Sequence, residues 1–277
     1  MVTSINCNGK VLHLEKPVVM GILNLTPDSF YENSRISSLD ELLKKVEQMI
    51  TDGASILDMG AVSTRPGAAE VSREEELSRL QPALEAVHHH FPEIIISVDT
   101  WRSEVAGMAL SLGAGMINDI SAGTFDPAII SLVIEKDVPF VMMHMQGTPF
   151  TMQVDPVYDD VVTEVHDYFS SRISLFPSDY QKLIIDPGFG FGKTVMHNFQ
   201  LLKHLEDFCS FGVPVLAGLS RKSLIQRSLN IKSAESLNGT TVVNTIALLK
   251  GAKILRVHDV KEAMEAIHLV SLLGEAV

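Results

Sequence analysis

Short apolar runs alternate with longer amphipathic segments along nearly the whole chain. The amphipathic segments, such as 39–53 and 73–90, carry apolar residues at i, i+3, i+4 and i+7, a spacing that predicts helices. The short runs are almost continuously apolar, which predicts strands covered on both faces and therefore a parallel sheet. Eight runs show this pattern: 18–25, 55–61, 94–100, 116–121, 139–145, 183–188, 214–220 and 253–259.

The repeated strand–helix unit continues to the end of the chain, with helical patterns at 240–251 and 260–274. Eight such units without a long linker or a break in composition predict an α/β fold, a single (β/α)8 TIM barrel. A doubly wound open sheet is the alternative, but it more often has fewer strands and a glycine-rich fingerprint after the first strand.

A β-hairpin is predicted in front of the barrel. Asn8-Gly9 lies between two short segments and supplies the two positive-φ positions of a type I′ turn. The hairpin would close the floor of the barrel. We therefore expect one domain over 1–277, with the hairpin at 1–16 and the barrel at 17–277.

Composition restricts the partners. The 277 residues carry 22 Lys and Arg against 34 Asp and Glu, a net charge of −12, which disfavours nucleic acid and an anionic membrane surface. No apolar stretch reaches the roughly 18 residues of a membrane helix. Cys7 and Cys209 have neither zinc nor CxxC spacing. We expect a soluble, cytoplasmic protein with reduced thiols, in which an anionic substrate requires a local basic cluster.

Polar residues stand where the predicted strands end, and in a TIM barrel these ends form the active site. A single polar residue there often only caps the next helix, whereas a full set directed into one mouth indicates a site. The set comprises Asn24, Asp58, Asp99, Thr100, Asn118, Asp119, His144, Asp186, Ser220, Arg221, Lys222, Arg256 and His258.

The chemistry of this set matches a ligand with two different ends. Asp99, Asn118 and Asp186 offer carboxylate and amide groups to the donor-rich edge of an amino-pyrimidine ring. The cations suit a diphosphate and gather after the seventh and eighth strands, where such barrels often bind phosphate; they are Arg221, Lys222, Arg256 and His258.

Two loops add to this picture. Arg65, beside Pro66-Gly67, presents a planar fork of donors suited to an anion. The glycines of DPGFGFGK, at 186–193, would let the backbone approach a flat ligand.

Eight motifs resemble, in order, those of the dihydropteroate synthases, the folate-pathway enzymes that sulfonamides target. The match covers 18–270, and the motifs read MGILNLTPDSF, STRPGA, SVDT, NDIS, MHMQGTP, IDPGFGFGK, GLSRKS and RVHDV. The resemblance implies condensation of (7,8-dihydropterin-6-yl)methyl diphosphate with 4-aminobenzoate, giving 7,8-dihydropteroate and pyrophosphate. It also implies Mg²⁺ as a cofactor and these two small molecules as substrates.

The resemblance further implies roles for individual residues. The residues holding the pterin edge would be Asp99, Asn118, Asp186 and Lys222. Those lining its faces would be Met143, Phe191 and Gly218, with Arg256 stacked over the ring. The diphosphate would be held by Asn24, Arg256 and His258, with Asn24 beside Mg²⁺. The 4-aminobenzoate site would be bordered by Ser220, Thr64 and Pro66 and closed by two loops carrying Phe30 and Arg65. The implied catalytic residues are Asn24, Arg65, Lys222, Arg256 and His258.

Two alternatives stay open beside the synthase. A pterin-dependent methyltransferase domain shares the barrel and the pterin pocket but needs neither TPDSF, STRPG nor the Ser220-Arg221-Lys222 cluster, because no diphosphate leaves. A catalytically silent paralogue would only bind pterin or a partner protein. The first loop also departs from the family, reading DSFYENS in place of DSFSDGG, and Ala61-Val62 replaces a Gly-Glu pair.

Apolar positions near the end of the chain leave room for a homodimer interface. These positions are Ile267, Leu269, Val270, Leu272 and Leu273.

Overall fold

Strands and helices alternate along the chain in the computed structural model, which describes residues 2–25, 35–62, 71–149, 151–152 and 155–276. The strands are β1 (Ser4–Cys7), β2 (Lys10–His13), β3 (Val18–Asn24), β4 (Ile56–Gly60), β5 (Ile95–Asp99), β6 (Met116–Asp119), β7 (Phe140–Met143), β8 (Leu183–Asp186), β9 (Leu216–Ala217) and β10 (Ile254–Val257). The helices are α1 (Arg35–Thr51), α2 (Arg73–His90), α3 (Ser103–Ser111), α4 (Ala128–Lys136), α5 (Val161–Ile173), α6 (Val195–Lys203), α7 (Ser223–Leu229), α8 (Leu237–Leu249) and α9 (Val260–Glu275), with 3₁₀ turns at Leu205–Phe211 and Ser233–Glu235.

The last eight strands form one parallel sheet in the order β8-β7-β6-β5-β4-β3-β10-β9. A further parallel bridge joins Ile185 in β8 to Val215, just before β9, so the two edges of the sheet meet. Each predicted apolar run contains one of these strands, and the TIM-barrel prediction is confirmed. No helix in the described part of the chain is long and apolar enough to cross a membrane.

The N-terminal hairpin fills one end of the barrel, as predicted. Asn8 and Gly9 have φ values of 54° and 88°, and the turn pairs Cys7 with Lys10. The apolar side chains of the hairpin share a buried cluster with one residue from each barrel strand. The members are Ile5, Cys7, Leu12 and Leu14 with Met20, Ile56, Ile95, Met116, Val141, Ile184, Leu216 and Ile254.

The interior of the barrel changes from apolar to largely polar along the strands, with Ile22, Met143 and Gly218 as the exceptions. Residues two apart on a strand point to the same side, so each member of the apolar layer is followed two positions later by another interior residue. That second layer contains Asp58, Ser97, Asn118, Met143, Asp186, Gly218 and Arg256. The other face of the strands packs against the helices in a larger apolar cluster. The strands therefore read as continuously apolar although one face ends in a polar site.

Candidate active site

The strand register aligns several predicted residues at the C-terminal mouth. Asn24 pairs with Gly60, Gly60 with Asp99, and Asp99 with Asn118. A Cβ on Gly60 would lie 3.3 Å from the Cβ of Asp99, so the glycine leaves room for this carboxylate. The sheet therefore gathers the amide and carboxylate groups that the sequence placed at strand ends.

Arg256 is held in the floor of the mouth by two carboxylates. Its Nε donates to Asp58 Oδ2 at 2.6 Å, and its Nη2 donates to Asp99 Oδ2 at 2.8 Å. Asp58 also accepts from Ser97 Oγ at 2.6 Å and from Asn118 Nδ2 at 3.0 Å. One buried carboxylate thus fixes both Arg256 and Asn118.

Asp58 has a role in the floor of the mouth that its position at a predicted strand end does not reveal. The signal lies in the two-residue period of the strand. Asp58 comes two residues after Ile56, which faces the interior, and Asp99 comes four residues after Ile95, which also faces the interior. Both spacings are multiples of the two-residue period of a strand. The period shows that Asp58 faces the interior, although it does not identify Arg256 as its partner.

The charges in this network shift one another's pKa values. Burial raises the pKa of Asp99 to about 7, although Arg256 opposes the shift. Burial also disfavours the charge on Arg256, but Asp58 and Asp99 outweigh it and raise the pKa of the guanidinium. Arg256 is therefore a permanent cation that compensates a buried acidic pair.

Asp186 and Lys222 face a space left by a glycine. A Cβ on Gly218 would lie 3.5 Å from Asp186 Oδ2 and 3.7 Å from Lys222 Nζ. Asp186 Oδ1 accepts the N–H of Gly188 at 2.8 Å, so Oδ2 is the oxygen that borders this space. Burial raises the pKa of Asp186 with Lys222 opposing, and burial lowers the pKa of Lys222 to about 8 with Asp186 opposing.

Lys222 also organises an aromatic wall. Its Nζ donates to the carbonyl oxygen of Phe189 and lies 4.6 Å from the centroid of the Phe191 ring. Met143, which pairs with Asp186 in the register, is buried beside it. The residues proposed for the ring edge and for its faces therefore lie at one place in the fold.

The expected cluster of four cations needs correction. Arg221 makes a two-point pair with Asp259, at 2.9 Å from Nε and 2.8 Å from Nη2, and also donates to the carbonyl of Ser233 at 3.0 Å. Because Asp259 compensates its charge, Arg221 adds no unpaired cation to the mouth. Ser220 Oγ lies 3.0 Å from His258 Nδ1 and accepts the backbone N–H of His258 at 3.2 Å.

The glycines of DPGFGFGK have a role besides ligand approach. Gly188 and Gly192 have positive φ values of 70° and 61°, and a Cβ at either would collide with a backbone carbonyl oxygen, of His144 or Gln146. The loop after β8 therefore packs directly on the segment that follows β7.

Four predicted residues lie outside the described part of the chain: Phe30, Thr64, Arg65 and Pro66. Their assignments stay predictions.

Comparison with known proteins identifies the family. A family profile described as "Pterin binding enzyme" matches residues 20–258. The dihydropteroate synthase of Escherichia coli (strain K12) is 47% identical over 265 residues, which cover 95% of this chain and 93% of that protein. This chain belongs to the dihydropteroate synthase family. The family prediction is confirmed, and as a member of this family the chain is a transferase.

Solved structures of the family share the whole fold. Xanthomonas albilineans dihydropteroate synthase with 4-aminobenzoic acid has a TM-score of 0.92 at 39% identity, covering 100% of both chains. The same enzyme in complex with 7,8-dihydropteroate has a TM-score of 0.88 at 37% identity, covering 99% of this chain and 100% of that one. One member of the family with this fold therefore binds both 4-aminobenzoic acid and 7,8-dihydropteroate.

Proposed function

We propose that the chain condenses (7,8-dihydropterin-6-yl)methyl diphosphate with 4-aminobenzoate, giving 7,8-dihydropteroate and pyrophosphate. The observation that carries this function is the hydrogen-bonded polar floor above an apolar barrel interior, formed by Asp58, Asp99, Asn118 and Arg256, with the buried carboxylate of Asp186 at the same level of the barrel. Family membership supports the same reaction.

The pterin ring would lie against Asp186 and Lys222. Asp186 Oδ2 would accept hydrogen bonds from the amino-pyrimidine edge, in the space that Gly218 leaves. Phe191 and Met143 would line the faces of the ring. Arg256 uses Nε and Nη2 for carboxylates, so Nη1 is the nitrogen we assign to the diphosphate.

Condensation forms a C–N bond and breaks a C–O bond. The amine nitrogen of 4-aminobenzoate bonds to the exocyclic methylene carbon of the pterin, while the electron pair of the C–O bond leaves with pyrophosphate. The amine then releases one proton to water, and no strong general base is needed because the N–H becomes acidic once the bond forms. Arg256, through Nη1, and Lys222 would donate hydrogen bonds to the leaving group as its charge develops.

Mg²⁺ fits the donors at this mouth. Asn24 ends β3 half-buried and offers a carboxamide oxygen, a hard donor of the kind that Mg²⁺ prefers. No group of three His, Cys, Asp or Glu side chains in the described residues could form a protein cage, and Mg²⁺ commonly uses few protein oxygens together with substrate phosphates. Asn24 would hold the ion, which would supply neutralising charge to the pyrophosphate.

Turnover tests the proposed function against the methyltransferase alternative. The chain is incubated with pterin diphosphate, 4-aminobenzoate and Mg²⁺, and in parallel with methyltetrahydrofolate and a methyl acceptor. We expect 7,8-dihydropteroate and pyrophosphate in equal amounts from the first mixture only. Methyl transfer without dihydropteroate would establish the alternative, and pterin binding without either product would establish a silent paralogue.

Pterin affinity is expected to fall about tenfold between pH 7 and pH 9. The pKa of Lys222 lies at about 8, so its ammonium is present below this pH and is lost above it. Calorimetric titration of a pterin across this range measures the effect, with Lys222→Met as the comparison. An equally steep pH dependence in Lys222→Met would assign the titration to the ligand or to another residue.

The homodimer and the cytoplasmic location stay predictions. Ile267 is buried and cannot serve an interface, because it faces the core, and Val270 packs partly against that core. The exposed apolar residues of the last two helices are Val242, Ile246 and Leu249 on α8 and Leu269, Leu272 and Leu273 on α9. We propose that these two helices, which pack together, form the dimer contact.

A further inference from the structure

A single buried amino group ties the loop after β8 to the segment after β7. Lys193 Nζ donates to the carbonyl oxygens of Gly188 and Phe191, both at 3.0 Å, within its own loop. It also donates to the carbonyl oxygen of His144 at 3.2 Å and lies 2.9 Å from His144 Nδ1. Four polar atoms therefore surround the Lys193 nitrogen, and three of them are carbonyl oxygens that can only accept.

The two loop residues that Lys193 binds are also those that touch the proposed pterin pocket. The N–H of Gly188 donates to Asp186 Oδ1 at 2.8 Å, and the ring of Phe191 lies under the ammonium of Lys222. The backbone of Gly188 and Phe191 therefore lies between Lys193 and the residues that line the pocket. No atom of Lys193 lies within 4 Å of the position that a Cβ on Gly218 would occupy.

The chemical cost of this arrangement argues against simple packing. Lys193 is only 4% exposed, and no carboxylate in the described part of the chain lies within ion-pair distance of it. Burial lowers the pKa of Lys193 well below its ordinary value, with Asp186 opposing. An apolar side chain would fill the same volume without that cost, but it could not bind three carbonyl oxygens.

We propose that Lys193 is a positioning residue for the pterin pocket, which it shapes by holding the backbone of Gly188 and Phe191. The inference rests on the proposed pterin site. Through Gly188 it orients the carboxylate of Asp186, and through Phe191 it sets the aromatic wall beside Lys222. Other contacts support the same loop: Asn198 Oδ1 accepts the N–H of Gly190 at 2.6 Å, and Tyr158 donates to the carbonyl of Gly192 at 2.8 Å.

A double-mutant cycle tests this role. Lys193→Met is measured in the wild-type and in the Phe191→Ala background, by calorimetric titration of a pterin that lacks the diphosphate. We expect Lys193→Met to weaken pterin binding about tenfold in the wild-type background and only about threefold once Phe191 is absent, because the route through Gly188 to Asp186 is still affected. The KM for 4-aminobenzoate should change less than twofold, because its site is not built on this loop.

Controls separate positioning from general destabilisation. Lys203→Met makes the same substitution at the exposed end of α6 and should leave pterin affinity unchanged. Lys193→Gln keeps N–H donors, so its pterin affinity should fall only about threefold. This variant replaces Lys193→Met in the cycle if the apolar variant does not fold. Equal losses in both backgrounds, or a parallel rise in the 4-aminobenzoate KM, would overturn the role of Lys193. A wild-type protein that binds no pterin would instead refute the proposed function.

Discussion

Replacement of Asp186 by asparagine is expected to weaken pterin binding by about 2–4 kcal/mol, roughly thirty- to several-hundred-fold. Asp186 accepts the N–H of Gly188 with Oδ1, while Oδ2 borders the space in front of Gly218. An asparagine can place its oxygen on only one of these sides. In either orientation its NH₂ group faces another donor, which leaves two buried groups unsatisfied.

The same substitution should leave the fold intact. Because burial raises the pKa of Asp186, its negative charge reduces stability at neutral pH, and a neutral amide removes that cost. We therefore expect a melting temperature equal to or above that of the wild type, together with the loss of pterin affinity. Calorimetric titration and thermal unfolding measure the two effects, with Asp167→Asn on the exposed face of α5 as the control. Wild-type pterin affinity in Asp186→Asn would remove Asp186 from the ring edge.

The sequence was sufficient to predict the barrel, because the pattern of apolar runs depends only on neighbouring positions. The turn at Asn8-Gly9 was equally predictable, since its backbone conformation belongs to two adjacent residues. Most of the polar residues at the mouth also followed from the strand ends, but Asp119 instead accepts hydrogen bonds from Ser121 and Gly123 in its own loop. These predictions needed no knowledge of contacts between distant parts of the chain.

The partners of the charged residues were not predictable in this way. Arg256 and Asp58 are 198 positions apart, and only closure of the barrel brings them to 2.6 Å. Arg221 and Lys222 are neighbours with similar charge, yet Arg221 has a positive φ of 53° and pairs with Asp259. Lys222 instead contacts Phe189 and Phe191. Two adjacent cations of similar chemistry look alike in the sequence, so their different partners could not be predicted from it.

Replacement of Arg256 by methionine is expected to lower the free energy of unfolding by about 3–5 kcal/mol at pH 8. Arg256 is the cation bound to both Asp58 and Asp99, and removing one partner of a buried ion pair leaves uncompensated charge. Arg227→Met, on the exposed end of α7, is the matched control and should change stability by less than about 0.5 kcal/mol.

The deficit of Arg256→Met should shrink as the pH falls, and the sign follows from Asp99. Its pKa is raised to about 7 in the folded protein even with Arg256 present, against about 4 in an unfolded chain. Between these values the folded state binds more protons than the unfolded state, so stability falls as pH rises. Without Arg256 the pKa of Asp99 in the folded protein rises further, so stability continues to fall with rising pH above pH 7. Urea unfolding at pH 5, 6.5 and 8 should therefore show the smallest deficit at pH 5 and the largest at pH 8.

A second substitution distinguishes lost charge from lost packing. In Arg256→Met combined with Asp58→Asn, one of the two carboxylates is neutral, so less uncompensated charge stays in the floor of the mouth. We expect this double variant to recover part of the stability at pH 8 and to keep the pH dependence that the titration of Asp99 causes. A deficit that is the same at all three pH values, or that grows with Asp58→Asn, would show that Arg256 stabilises the barrel through its packed side chain. Recovery at pH 8 would instead show that the guanidinium is retained for its charge, the property that the departing pyrophosphate requires.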